Sequence, residues 1–236
     1  MNESPFRKPP PGWGTRGAKP TPSAPRPVAA APLDAAAAAL EENRAAAGNP
    51  AFTPPVIGRA VGLLILTWLT WTTIAAGLTY PRPGSLLGIL DGANFIFHEA
   101  GHFIFIFFGE FMAVLGGSLN QILIPAIFTG YFFRYRQTGQ AAATLFWMGQ
   151  SMTGVALYAA DGLVMRLPLH GGEGPAVHDW HRLLKWTGLL EQATGVGYVF
   201  FTIAVLMMLA ALVVLALDLV RAYHEPERVF ELRPLE

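Results

Sequence analysis

The chain has 236 residues, of which 53% are hydrophobic and only 14% charged, well below the roughly 25% charged usual in soluble domains. Sixteen basic and sixteen acidic residues cancel, so no net field points to nucleic acid as a partner. The chain contains no cysteine, which excludes disulfides, thiolate catalysis and Cys-ligated metal sites.

Residues 1–55 hold 12 of the 19 prolines together with scattered Arg and Lys. A Pro/Ala-rich basic segment of this kind buries too little apolar surface to offset its ordering entropy, so a disordered tail is expected. Within it Asp34 is placed to cap a short Ala-rich helix over residues 35–47, closed by Gly48. No apolar run in residues 1–31 resembles a signal-peptide core, so the first hydrophobic segment is expected to act as its own insertion signal.

The body of the chain, residues 56–222, has its charges far apart. Between Arg59 and Arg82 lie 22 uncharged residues; the intervals from Glu110 to Arg134, Arg136 to Asp161 and Glu191 to Asp218 hold 23, 24 and 26. At about 1.5 Å of rise per residue each interval can cross the ~30 Å hydrocarbon core of a bilayer. The pattern predicts an all-α, polytopic membrane bundle of about five transmembrane helices, over residues 56–80, 86–108, 118–133, 140–160 and 193–220. Gly116-Gly117 is read as the break between the second and third. Residues 179–191, with Trp180, Leu183, Leu184, Trp186 and Leu190 against Arg182 and Lys185, predict a helix lying in the membrane interface. Residues 223–236 form a short C-terminal tail. The Lys/Arg bias of the connections favours a cytoplasmic N-terminus, in the inner membrane if the cell is bacterial.

The second predicted span carries Asp91, His98, Glu99 and His102. A charge at mid-bilayer costs about 3 kcal/mol, so such residues face the protein interior and have partners. His98 and His102, at i and i+4, share one helical face and can reach a single ion. Glu99 is rotated from them by roughly 100°, which suits a general base acting on a water beside that ion. Zinc lowers the pKa of such a water to roughly 7.

Asn94, one turn ahead of His98, and Asn120 and Gln121, after Gly116-Gly117-Ser118, are candidate substrate-binding groups; interhelical hydrogen bonding is their other reading. His178, in the run His178-Asp179-Trp180-His181, is a candidate third ligand, with Asp179 or His181 orienting its imidazole or Asp179 capping the following helix. Glu110 is a further candidate.

The run Phe97-His98-Glu99-Ala100-Gly101-His102, set in an apolar helix, resembles the site-2 protease type of intramembrane zinc metalloprotease. The resemblance covers about a third of the chain. It implies that His98 and His102 bind Zn2+, that Glu99 is the catalytic base, and that the third ligand is the aspartate of an Asp-Gly pair on a later helix, here Asp161-Gly162. It implies as substrate a transmembrane or membrane-proximal protein. Two other classes compete: a non-catalytic zinc-binding membrane scaffold, for which Glu99 has no use, and a di-iron membrane oxygenase using His98/His102 and His178/His181, for which six histidines are few.

Overall fold

The computed structural model describes residues 54–79, 85–169, 172 and 174–224, all belonging to one contact unit, Gly48–Glu236. The expected tail helix at 35–47 and nearly all of the C-terminal tail lie outside the described residues. Among the described residues the fold is all-α, with six α-helices and no strand.

Helix α1, Pro54–Ala76, opens on two prolines, which suit a first turn because its N–H groups have no helical acceptor. It stops short of residue 80 because Gly77 takes a left-handed conformation (φ 61°) and donates its N–H to the Thr73 carbonyl at 3.1 Å, a glycine C-cap. Helix α2, Ser85–Phe105, carries the histidine motif and tightens into a 3-10 turn, Ile106–Phe108. Gly109, at φ 93°, makes the true break.

Helix α3, Glu110–Arg134, then runs unbroken through Gly116-Gly117, so the break expected there is absent. Those glycines serve close approach instead. A Cβ on Gly116 would lie 2.7 Å from the Gly101 carbonyl oxygen and from Phe105 Cβ, and one on Gly101 would lie 2.7 Å from Asn120 Cβ. Small residues at these crossings let the α2 and α3 backbones touch.

Helix α4, Thr138–Ala160, and helix α6, Ala193–His224, form the most extensive pair. It is built on the same principle: a Cβ on Gly149 would meet Met208 Cγ at 2.8 Å, and one on Gly197 would meet Ala160 Cβ at 2.5 Å. The packing order is α1–α6–α4–α3–α2. An ion pair between Arg59 Nε and Asp218 Oδ2, 2.5 Å apart, ties α1 to α6.

Pro125 lies inside α3 and is buried. A proline has no N–H, so the carbonyl four residues back, that of Gln121, lacks its helical donor. Ser151 Oγ on α4 supplies one at 2.9 Å, and Gln121 Nε2 returns a bond to the Ser151 carbonyl at 3.2 Å. The proline thereby creates the polar clamp that holds α3 against α4.

Helix α5, Asp179–Thr187, is shorter than the predicted 179–191, because Gly188 caps it in the left-handed region (φ 71°). It does not merely lie at an interface. Trp180, Leu183 and Leu184 are buried against Val114, Val155, Ala159 and Ala193, while Trp186 remains exposed.

Among the described residues three helices are long and apolar enough to cross a membrane: within Pro55–Ala76, Glu110–Arg134 and Leu190–His224. Their outward faces carry large apolar side chains, among them Leu64, Trp71, Leu206 and Val213. Helices α2 and α4, counted among the five expected spans, do not reach that apolarity. Much of their polar content is turned inward, as Asn94, His98, Gln150, Ser151 and Thr153 are all buried.

Candidate metal centre

His98 and His102 stand on one face of α2, as their spacing requires, with ring centroids 4.9 Å apart. Each ring is fixed through its Nδ1. His98 Nδ1 donates to Gln121 Oε1 at 3.0 Å, and His102 Nδ1 donates to the Ala113 carbonyl at 2.8 Å. Both acceptors come from α3, whose approach the glycine contacts permit. With Nδ1 so held, both Nε2 atoms face a common point, where each can carry a proton toward an acceptor or, with that proton displaced, bind a cation.

The group at that point is Asp179. Its Oδ2 lies 3.0 Å from His98 Nε2 and 3.3 Å from His102 Nε2. One donor atom from each residue falls within 4.8 Å of the other two, and among the described residues this is the group of three able to hold an ion. Gly117 leaves the room for it: a Cβ there would lie 2.7 Å from both Nε2 atoms. Two imidazole nitrogens and one carboxylate, each imidazole backed by an acceptor, are a donor set and outer shell suited to a divalent cation such as zinc. The residues present fit such an ion.

Burial works against ionisation of Asp179, but hydrogen bonds to His102 and His98 outweigh it and hold the carboxyl down to about 2.

Asp161 and His178, two of the sequence candidates for third ligand, do not join the imidazoles; they meet each other. Asp161 caps the end of α4, where its Oδ1 accepts the Arg166 N–H at 2.8 Å and its Oδ2 the Leu167 N–H at 3.0 Å. His178 Nε2 donates to Asp161 Oδ2 at 3.3 Å, while His178 Nδ1 accepts the His181 N–H at 3.2 Å and so caps α5. His178 is fully buried. Burial pulls its pKa below the ordinary imidazole value, with the Asp161 hydrogen bond only partly offsetting this, in keeping with a neutral ring that donates on one side and accepts on the other.

The rest of the His178-Asp179-Trp180-His181 run points the same way. Trp180 Nε1 donates to Ser118 Oγ at 3.0 Å, and His181 Nδ1 donates to the Gly162 carbonyl at 2.9 Å. Three side chains anchor the segment, and the fourth, Asp179, is presented to the histidines. His178 and His181 thus serve Asp161 and Gly162 and form no second histidine box. Glu110 pairs with Arg182 at 2.5 Å on the surface.

A cavity of about 530 Å³ opens beside the three donors. Glu99 and Asp91 line it with His98, His102 and Asp179, and Leu167, Pro168, Leu169 and Val177 form an apolar lip. Asn94 and Gln121 also reach its wall, but both are engaged within the protein. Asn94 Nδ2 donates to Gln150 Oε1 at 2.8 Å and its Oδ1 accepts from Trp147 Nε1 at 2.8 Å. Asn120 Nδ2 donates to the Phe97 carbonyl at 2.7 Å and so fastens α3 to α2. In the structure Asn94 acts as a brace, Asn120 as a helix clasp and Gln121 as an orienter of His98.

No family model matches the chain, no curated protein matches it, and no solved structure matches it.

Proposed function

We propose that the chain is an integral-membrane metallopeptidase that hydrolyses peptide bonds of membrane-embedded or membrane-proximal proteins, with Zn2+ held by His98, His102 and Asp179. The observation that carries this reading is the convergence of two Nδ1-anchored imidazoles and one carboxylate on the space that Gly117 leaves open, with Glu99 on the wall of the adjoining cavity. When bound, the ion supplies a Lewis acid and lowers the pKa of a water to near neutrality. The residues do the rest. Gln121 and the Ala113 carbonyl keep both rings in the ligating tautomer, Glu99 takes the proton of the attacking water and delivers it to the leaving amine, and the apolar lip receives the substrate's apolar side chains. The similarity of the His98–His102 motif to site-2 proteases agrees with this chemistry, while the third ligand assigned here is Asp179 in place of Asp161. In this reading the chain is multi-pass, with α2 and α4 sheltered by the three apolar helices, and its N-terminus faces the cytoplasm, in the inner membrane if the cell is bacterial.

The test is metal content and cleavage of a model transmembrane substrate by detergent-purified protein. Glu99→Gln is expected to retain about as much zinc as the wild-type chain and to lose roughly 10²- to 10⁴-fold in rate, whereas Asp179→Ala is expected to lose the metal. Equal cleavage by wild-type protein and Glu99→Gln overturns the peptidase reading. Cleavage lost together with zinc in Glu99→Gln would make Glu99 a ligand instead of a base.

A further inference from the structure

Tyr158, on α4, lines the same cavity as Glu99 and the three candidate ligands. Its ring packs near two imidazoles, with centroids 4.4 Å from His178 and 5.9 Å from His98. Its phenol oxygen accepts the backbone N–H of Asp179 at 3.0 Å. A phenol hydroxyl offers one proton as well as its lone pairs. The bond from Asp179 occupies a lone pair and leaves the proton to be donated elsewhere; among the described residues no acceptor takes it. The residue that fixes this hydroxyl is also the one that supplies the carboxylate donor, so the O–H is held one residue's length from the candidate ion site, in the cavity that Glu99 also lines.

We propose that Tyr158 is a catalytic residue of this site, its O–H donating a hydrogen bond to the scissile carbonyl oxygen and to the oxyanion that replaces it. The inference rests on the peptidase reading. In the step it assists, water oxygen bonds to the carbonyl carbon, the C=O π pair moves onto oxygen, and Glu99 receives the water proton. On collapse the C–N bond breaks and that proton goes to the amine. Tyr158 transfers no proton; a preplaced donor aimed at developing charge is the whole of its contribution. The competing role is purely positional, in which the hydroxyl only steadies the Asp179 backbone.

The experiment compares zinc-loaded wild-type protein with Tyr158→Phe in detergent, the phenylalanine keeping the ring contacts. Zinc stoichiometry, zinc affinity, kcat and KM on a fluorogenic peptide, and affinity for a phosphinic-acid peptide that mimics the tetrahedral oxyanion are measured. The expected result is zinc binding close to wild type, little change in KM, and a fall of about 10²- to 10³-fold in kcat. Affinity for the phosphinic peptide should fall with it. The role of Tyr158 is overturned if the wild-type chain cleaves and Tyr158→Phe matches it, or if the variant's loss follows lost zinc and is restored by saturating metal. A zinc-loaded wild-type chain that does not cleave overturns the peptidase reading and the oxyanion role together.

Discussion

At Gly117 one methyl group decides whether two imidazoles can share an ion. Its added carbon would lie 2.7 Å from both His98 Nε2 and His102 Nε2, a collision that costs roughly 1–3 kcal/mol in a packed interior. Gly117→Ala is therefore expected to weaken zinc binding roughly 10- to 100-fold while leaving helical content intact, as competition with a chromogenic chelator and circular dichroism will show. The two histidines were legible in the sequence because an i, i+4 pair needs only helix geometry to meet. Gly116-Gly117 is ambiguous in the sequence for a physical reason: glycine marks a backbone that turns and also one that must be approached closely, and the local sequence is the same in both cases. Asp179 was harder still. Its neighbours His178 and His181 are equally able ligands, and only the fold shows that each is already occupied, by Asp161 and by the Gly162 carbonyl.

Among elements, the connection from α4 to α5 does the positioning. Asp161 gathers the Arg166 and Leu167 N–H groups and the His178 ring, and His178 in turn starts α5, so the first residue of that helix arrives at the histidines already oriented. Asp161→Ala is expected to lower zinc affinity without abolishing binding, because Asp161 supports Asp179 only through His178 and the start of α5. Full stoichiometry should return at high metal, in contrast to Asp179→Ala; isothermal titration distinguishes the two. An Asp161 that is itself a ligand would instead give the same loss as Asp179. Most helices were legible within a few residues, since charge spacing and glycine or proline ends act locally. The inward burial of α5 was not, because its apolar face suits a membrane surface and a protein groove equally well.

For the molecule as a whole, α1 is joined to the bundle chiefly through α6, and the Arg59–Asp218 pair clasps the two, with side chains 21% and 11% exposed. Removing one partner leaves a largely buried charge unsatisfied, at roughly 1–3 kcal/mol. Arg59→Leu or Asp218→Leu alone should lower the thermal midpoint in detergent, and the double variant should recover part of the loss; equal midpoints for the singles and wild type would show the clasp to be idle. The candidate ion site has a different reach. His98 and its carboxylate partner stand 81 positions apart in the chain, with α3 and α4 between them. During synthesis the ribosome must deliver both intervening helices before the third donor emerges, and the fold must bring them together before it can be used. A cation taken up by all three donors could therefore bind only late in biogenesis: nascent chains released before Asp179 would carry both imidazoles yet lack the carboxylate that completes the group.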